Sequence, residues 1–242
     1  MMKKSVYFPC IPSIFARPLM EHHEMKILWA KILMGSAAII FLSFWLAPSL
    51  ALAAEEHNNH FASILLDNKK IGTVHFSVKH NEKGQLEQVK TKASLSVFGV
   101  KLYDFTHNLH EEWSDGKLQS MRSHANENGK IDEITLQRDS TQYVATRNDK
   151  HLTLPHTAFP LSLWHHGVVQ QSLLFDVTNL RLMKVETMRH EDTVIRDGKS
   201  TPAERVTFTG DWRGSVWYDQ KKRFLRAEYM SEGRLIVVVM DP

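Results

Sequence analysis

Four side chains have the chemistry to handle a proton at a defined place: Glu111, His165, Tyr218 and Asp219. Glu111 is the most informative. Counting by twos along one strand puts it on the side of Tyr103, Phe105, Leu109 and Trp113, so a carboxylate points where the apolar face points. Burial raises the pKa of such a group, which suits a general acid or a holder of a ligand's polar head. It equally suits a structural carboxylate paired with an arginine or a tyrosine hydroxyl from a neighbouring strand. Trp217-Tyr218-Asp219 reads either as a proton-handling pair beside an aromatic ring or as a core tryptophan followed by a turn aspartate bonding its own backbone, since Gln220-Lys221-Lys222 comes next.

Metal chemistry has little support. His165 and His166 are adjacent and diverge on a helix or a strand, and His107 and His110 fall on opposite faces of one. His151 and His156 sit in a proline-containing loop, and His57 and His60 lie beside Glu55 and Glu56 in a short polar stretch. No H-E-x-x-H occurs, nor G-x-S-x-G, G-x-G-x-x-G or a phosphate-binding loop, so no metal site and no cofactor are expected. Apolar chemistry has more candidates, with Tyr103, Phe105, Trp113, Trp164 and Trp217 as aromatic side chains that could line a ligand cavity.

The elements that must position these residues are strands. Val74, Phe76 and Val78 oppose Thr73, His75, Ser77 and Lys79; Val89, Thr91, Ala93, Leu95 and Val97 oppose Lys90, Lys92, Ser94 and Ser96. Turn signals such as Asp115-Gly116, Asn128-Gly129 and Asp197-Gly198 punctuate the alternation. The expected fold is all-β: a single antiparallel meander of roughly ten strands forming a barrel or half-barrel. One stretch, near 158–175, has Leu161, Leu163, Trp164, Val168, Val169, Leu173 and Leu174 at nearly helical spacing after Pro155 and Pro160, and reads as a short helix or plug crossing the sheet.

The chain's 242 residues carry a net charge of +3, but five basic and two acidic residues lie in residues 1–53, leaving 25 of each sign from Ala54 onward. The basic excess therefore argues for no nucleic-acid surface. Lys26 and Lys31, the apolar run Ile32–Leu46 and Ala51-Leu52-Ala53-Ala54 make the three-part plan of a secretory signal peptide cut between Ala53 and Ala54. An uncut anchor is the alternative, although 15 apolar residues fall short of the roughly 20 that span a bilayer. The organisation expected is an upstream extension over 1–24 ahead of a true start at Met25, a signal over 25–53, a flexible tail over 54–60 and a β domain over 61–242. Cys10 is the only cysteine, so the exported part has no disulfide and no thiolate chemistry.

An opening strand with Leu66, Asp67, Lys69, Ile71 and Gly72, a central block of Tyr103, Phe105, Glu111, Trp113, Asp115 and Gly116, and a late Trp217, Tyr218 and Asp219 followed by Arg223 resemble a functionally uncharacterised family of secreted bacterial β proteins over most of residues 60–240. The architecture is more distantly similar to the LolA/LolB lipoprotein carriers, open barrels whose apolar inner surface holds acyl chains. The leader implies a periplasmic protein handled by signal peptidase and the export machinery, or one held at the inner membrane by an uncut signal. Three functions fit: binding of an apolar or lipid-like ligand or an envelope partner, an enzyme using Glu111 with a histidine or tyrosine as acid and base, or a scaffold that binds by strand addition. N-terminal sequencing of the exported protein is expected to begin at Ala54; a start at Met25 would mean an uncut anchor.

Overall fold

The computed structural model describes residues 58–81, 84–196 and 198–241. The signal segment 25–53, Ala53, Ala54, Cys10 and Asp197 lie outside these. Strands come first as β1 (Asn58–Leu66), β2 (Lys69–Asn81), β3 (Gly84–Val97), β4 (Val100–Ser114), β5 (Lys117–Glu127), β6 (Lys130–Arg138), β7 (Gln142–Arg147) and β8 (Lys150–Pro155). A crossing segment follows, with β9 (Phe159–Pro160), one 3-10 turn (His166–Gln170) and β10 (Leu173–Phe175). The chain ends with β11 (Leu182–Arg196), β12 (Lys199–Gly210), β13 (Gly214–Tyr218), β14 (Phe224–Ser231) and β15 (Arg234–Met240).

All fifteen strands belong to one sheet, ordered β8 to β1, then β15 down to β9. Neighbours are antiparallel except β9 and β10, which run parallel. The first and last strands meet in the middle of this order, Ala62 opposite Met240 and Leu66 opposite Ile236. The two outer strands, β8 and β9, are not bonded to each other, yet only residues 156–158 separate them in the chain. The sheet is thus an open, barrel-like meander whose ends are brought together by the connection between them.

Alternation builds this sheet: β4 reads Tyr103, Phe105, His107, Leu109, Glu111 and Trp113 buried, with neighbours between them facing solvent. Two-residue loops join six of the hairpins, each with both residues at positive φ: Asp67-Asn68, Phe98-Gly99, Asp115-Gly116, Asn128-Gly129, Asn148-Asp149 and Glu232-Gly233. That backbone matches the right-handed twist of the strands. Gly72 has another role, because a Cβ there would lie 2.2 Å from the Lys92 carbonyl oxygen, so the close approach of β2 and β3 needs its absence.

The strand count exceeds the ten expected because β7 to β10 have only two to six residues, too few for alternation to register. Asn58, Asn59 and His60, expected in a tail, are part of β1, where the His60 ring stacks on Phe76 at 5.0 Å. The crossing segment is a plug but not a helix. Most of its apolar side chains are buried, among them Leu161, Leu163, Trp164, Val168, Val169, Leu174 and Phe175, whereas Gln170 and Ser172 are exposed. Trp164 is its centre, fully buried with ring centroids 4.2 Å from Phe76 of β2 and 3.9 Å from Phe224 of β14. It therefore ties both halves of the sheet to one wedge. Trp164→Ala is expected to lower stability by about 3–5 kcal/mol in urea denaturation, the range for truncating a buried aromatic; a loss below about 1 kcal/mol would mean the plug does not hold the halves together.

Candidate functional site

The turns of the meander alternate between two ends. The candidate proton-handling residues gather at the end where β2 runs into β3, β4 into β5 and β13 into β14, and where the plug enters. Glu111 on β4 stands directly opposite Glu87 on β3. Both are buried, at 0 % and 1 % exposure, and their carboxyl groups are hydrogen-bonded to each other. Trp113 donates its indole N–H to Glu111 Oε2 at 3.3 Å, and the Gln85 amide donates to Glu87 Oε1. Burial first, and then the neighbouring Glu111 carboxylate, push the Glu87 carboxyl well above the usual range. Two buried carboxylates facing each other cannot both ionise cheaply, so Glu87 keeps a proton for the bond.

Against Trp113 the His165 ring stacks at 5.0 Å and 17°, with Phe159 closing the edge of both. His165 Nδ1 accepts from the Gly167 N–H at 3.1 Å, which places its proton on Nε2, and burial holds its pKa down at about 4. Glu111 and His165 therefore share Trp113 as a neighbour, one bonded to its N–H and the other stacked on its face. His165 is neutral at pH 7 and spends one nitrogen on capping the 3-10 turn.

Tyr218 and Asp219, at the same end, do not join this pair. The Tyr218 hydroxyl donates to the Leu163 carbonyl at 2.6 Å, and complete burial pushes its pKa upward, so it pins the plug and has no proton to give. Asp219 accepts from the backbone N–H groups of Lys221 and Arg223 at 2.8 and 2.9 Å and pairs with the Arg223 guanidinium at 2.6 Å. It is the turn residue of the second sequence reading. The five aromatic candidates line no common space. Tyr103, Phe105, Trp113 and Trp164 belong to the main core, whereas Trp217 packs with Val194, Ala203 and Leu225 in a small cluster on the other face. All five are at most 8 % exposed.

Two features at this end were not read from the sequence. Glu87 is one; it is in phase with Val89 and Thr91, so continuing the β3 alternation two residues back would have flagged it. The other is a network around Glu204, whose Oε2 accepts from His166 Nε2 and Lys222 Nζ, each at 3.0 Å, with Arg189 3.7 Å from Oε1. Burial raises the Glu204 pKa, but these donors outweigh it and hold the carboxylate ionised. Beside it opens a groove of about 750 Å³, lined by Arg189, Glu191, Asp192, Glu204, Asp219 and Lys222 among others. A smaller groove of about 300 Å³ shares Asp219 and runs past His60, Arg196 and Arg223. Among the described residues no three His, Cys, Asp or Glu side chains gather as metal ligands.

The acid pair makes a pH prediction. The unfolded chain releases the Glu87 proton near pH 4.5, whereas the folded protein keeps it. The folded state then binds more protons, so this contribution is complete below about pH 4.5 and is lost as pH rises through the folded pKa, about 1.4 kcal/mol per unit of elevation. The histidines oppose it: burial lowers His107 to about 3 and His165 to about 4, so their contribution is lost as pH falls below 6.5. The difference between Glu87→Gln and wild type isolates the carboxyl. Urea denaturation is expected to show the variant gaining on wild type from pH 5 to pH 8; parallel profiles would remove the shared proton.

Comparison with known proteins agrees with the architecture. No functionally curated protein matches the chain. The crystal structure of a beta-barrel-like protein of domain of unknown function DUF1849 from Brucella abortus is similar with a TM-score of 0.53 at 9 % identity, covering 77 % of this chain and 96 % of that one. At that identity the likeness concerns the fold. The family model of a domain of unknown function, DUF6134, matches residues 63–241, which takes in the β sheet, the plug and the acid pair. The chain belongs to the DUF6134 family.

Proposed function

We propose that the protein is exported to the periplasm and acts there as a binding protein, engaging an envelope partner on its surface and carrying nothing in its interior. One observation carries this reading: the groove of about 750 Å³ between the β11–β12 hairpin and the β13–β14 turn is open and charged, whereas the interior is occupied by the chain's own side chains. Its size falls in the range of binding sites, and its walls carry acids and bases beside Pro202 and Ala203 where an acyl chain would need apolar side chains throughout. Arg189, Glu191 and Lys222 present both signs, which suits a polar protein segment with charges of its own.

The alternatives have less to stand on. An acid and base catalyst needs a group that meets solvent and substrate, and Glu87 and Glu111 are sealed behind Trp113 and the plug. A carrier on the LolA/LolB plan needs an apolar hollow, and Trp164, Phe76 and Phe224 fill that position. For strand addition the free strands are the two outer ones, β8, six residues long and ending in Pro155, and β9, two residues long and ending in Pro160, short edges of the kind that discourage pairing.

A photo-crosslinking amino acid at His190, on the groove wall, is expected to trap one envelope protein in living cells, and Glu191→Lys to abolish that adduct. Adducts unchanged by Glu191→Lys would overturn the groove as the binding surface. A lipid bound at one per protein, seen by native mass spectrometry, would restore the interior carrier.

A further inference from the structure

The end of the sheet opposite the groove carries an unusual hairpin. Past Ala93, paired with Gly72, and before Phe105, paired with Glu127, strands β3 and β4 are in register only with each other, up to Val97 opposite Val100. Four residues of ladder project the tip about 13 Å. The tip is apolar and bare: Val97 is 42 % exposed, Phe98 102 %, Val100 61 % and Leu102 57 %. Leu102 is the extra residue of a bulge that turns this ribbon.

Phe98 opens the two-residue loop with φ +49°, a conformation that costs a bulky side chain energy. Asp, Asn or Glu fills the same place in the five other two-residue loops with positive φ. Phe98 is therefore strained in its backbone and unfavourable in its exposure, and neither the fold nor the groove gains from it. Charge surrounds the tip on the same end. Lys69 and Lys70 lie on β2 beside its base, Lys92 faces outward on β3, and Lys101 sits within the tip, ion-paired with Asp104 at 3.1 Å; all four lysines are exposed.

We propose that this hairpin is a membrane-docking tip that inserts Phe98, Val97, Val100 and Leu102 into the interface of an anionic lipid bilayer, with the lysines against its headgroups. A projecting convex knob with cationic flanks suits a surface that yields around it and is negatively charged. Docking there would leave the charged groove, at the other end, facing away from the bilayer.

The test uses the chain from Ala54 onward, which contains the whole described core, and flotation with vesicles of phosphatidylcholine alone or with 30 % phosphatidylglycerol, about the anionic share that gives a negative surface potential. Wild type is expected to bind the anionic vesicles, and Phe98→Asn to bind about ten-fold less or weaker still, as loss of a buried aromatic requires. Asn tolerates positive φ, so the variant's thermal midpoint is expected to equal or exceed wild type, which separates lost docking from lost folding. Equal binding by Phe98→Asn, equal binding to neutral vesicles, or no binding by wild type overturns the proposal. None of these outcomes alters the crosslink at His190, so this proposal and the groove reading fail separately.

Discussion

A sheet of fifteen strands bent until its ends approach must fill its concave side, and everything else in this protein follows from how it does so. The chain supplies its own filler. Trp164 meets Phe76 from the first half of the sheet and Phe224 from the second, and the Tyr218 hydroxyl fixes the Leu163 carbonyl beside it. Dispersion and apolar burial are non-directional, so the wedge needs these few hydrogen bonds to hold it in one orientation. The open seam between β8 and β9 is tolerable for the same reason. Tyr143 on β7 packs against Phe175 on β10, and Arg147 donates to the Asn179 carbonyl at 3.0 Å, so side chains bridge where strands do not.

Filling the interior also decides what the titratable groups can do. Glu87 and Glu111 together form a polar unit that satisfies itself, with one proton, an indole and an amide. His107 is a second such unit, its Nε2 2.8 Å from the Ser123 hydroxyl, both buried on the inner face of β4 and β5. Asp176 is a third, held by Thr178 and Asn179 in the turn after β10. Each is a small network inside a dry core, and such networks favour one register over its neighbours, because sliding a strand would strand a carboxyl or an imidazole without its partner. The chemistry that faces solvent is left to the Glu204 network and its groove.

The long strands were legible because alternation over nine to fifteen residues is hard to produce otherwise, and β2 to β5 follow it closely. Glu111 was legible by the same counting, as a carboxylate on an apolar face. Glu87 was legible by that counting only as a second inward carboxylate, because it becomes the neighbour of Glu111 only through the register of β3 on β4, which no local pattern encodes. The plug was legible only as a helix or a plug for a related reason: a segment buried on most sides carries neither a period of two nor one of 3.6. Trp217-Tyr218-Asp219 shows the limit of motifs, since three consecutive residues serve an outer cluster, the plug and a turn. The Glu204 network joins β11, β12, the plug and the β13–β14 turn, so only the folded chain assembles it.

The pairing of the first strand with the last has a consequence for how the molecule is made. Ala62 bonds into register with Met240 across nearly all the described residues, and β15 is the last strand of this sheet to leave a ribosome or a membrane pore that delivers the N-terminus first. Until it arrives, β1 presents an unsatisfied edge and the two halves of the wedge's socket are not joined by strand pairing. The early hairpins can form one by one, but the ring of contacts closes in a single late event with a large loop-closure cost. For that interval the nascent chain is a sticky half-sheet, and its short two-residue turns, which shorten the search within each hairpin, are what limit the time it spends exposed to misassembly.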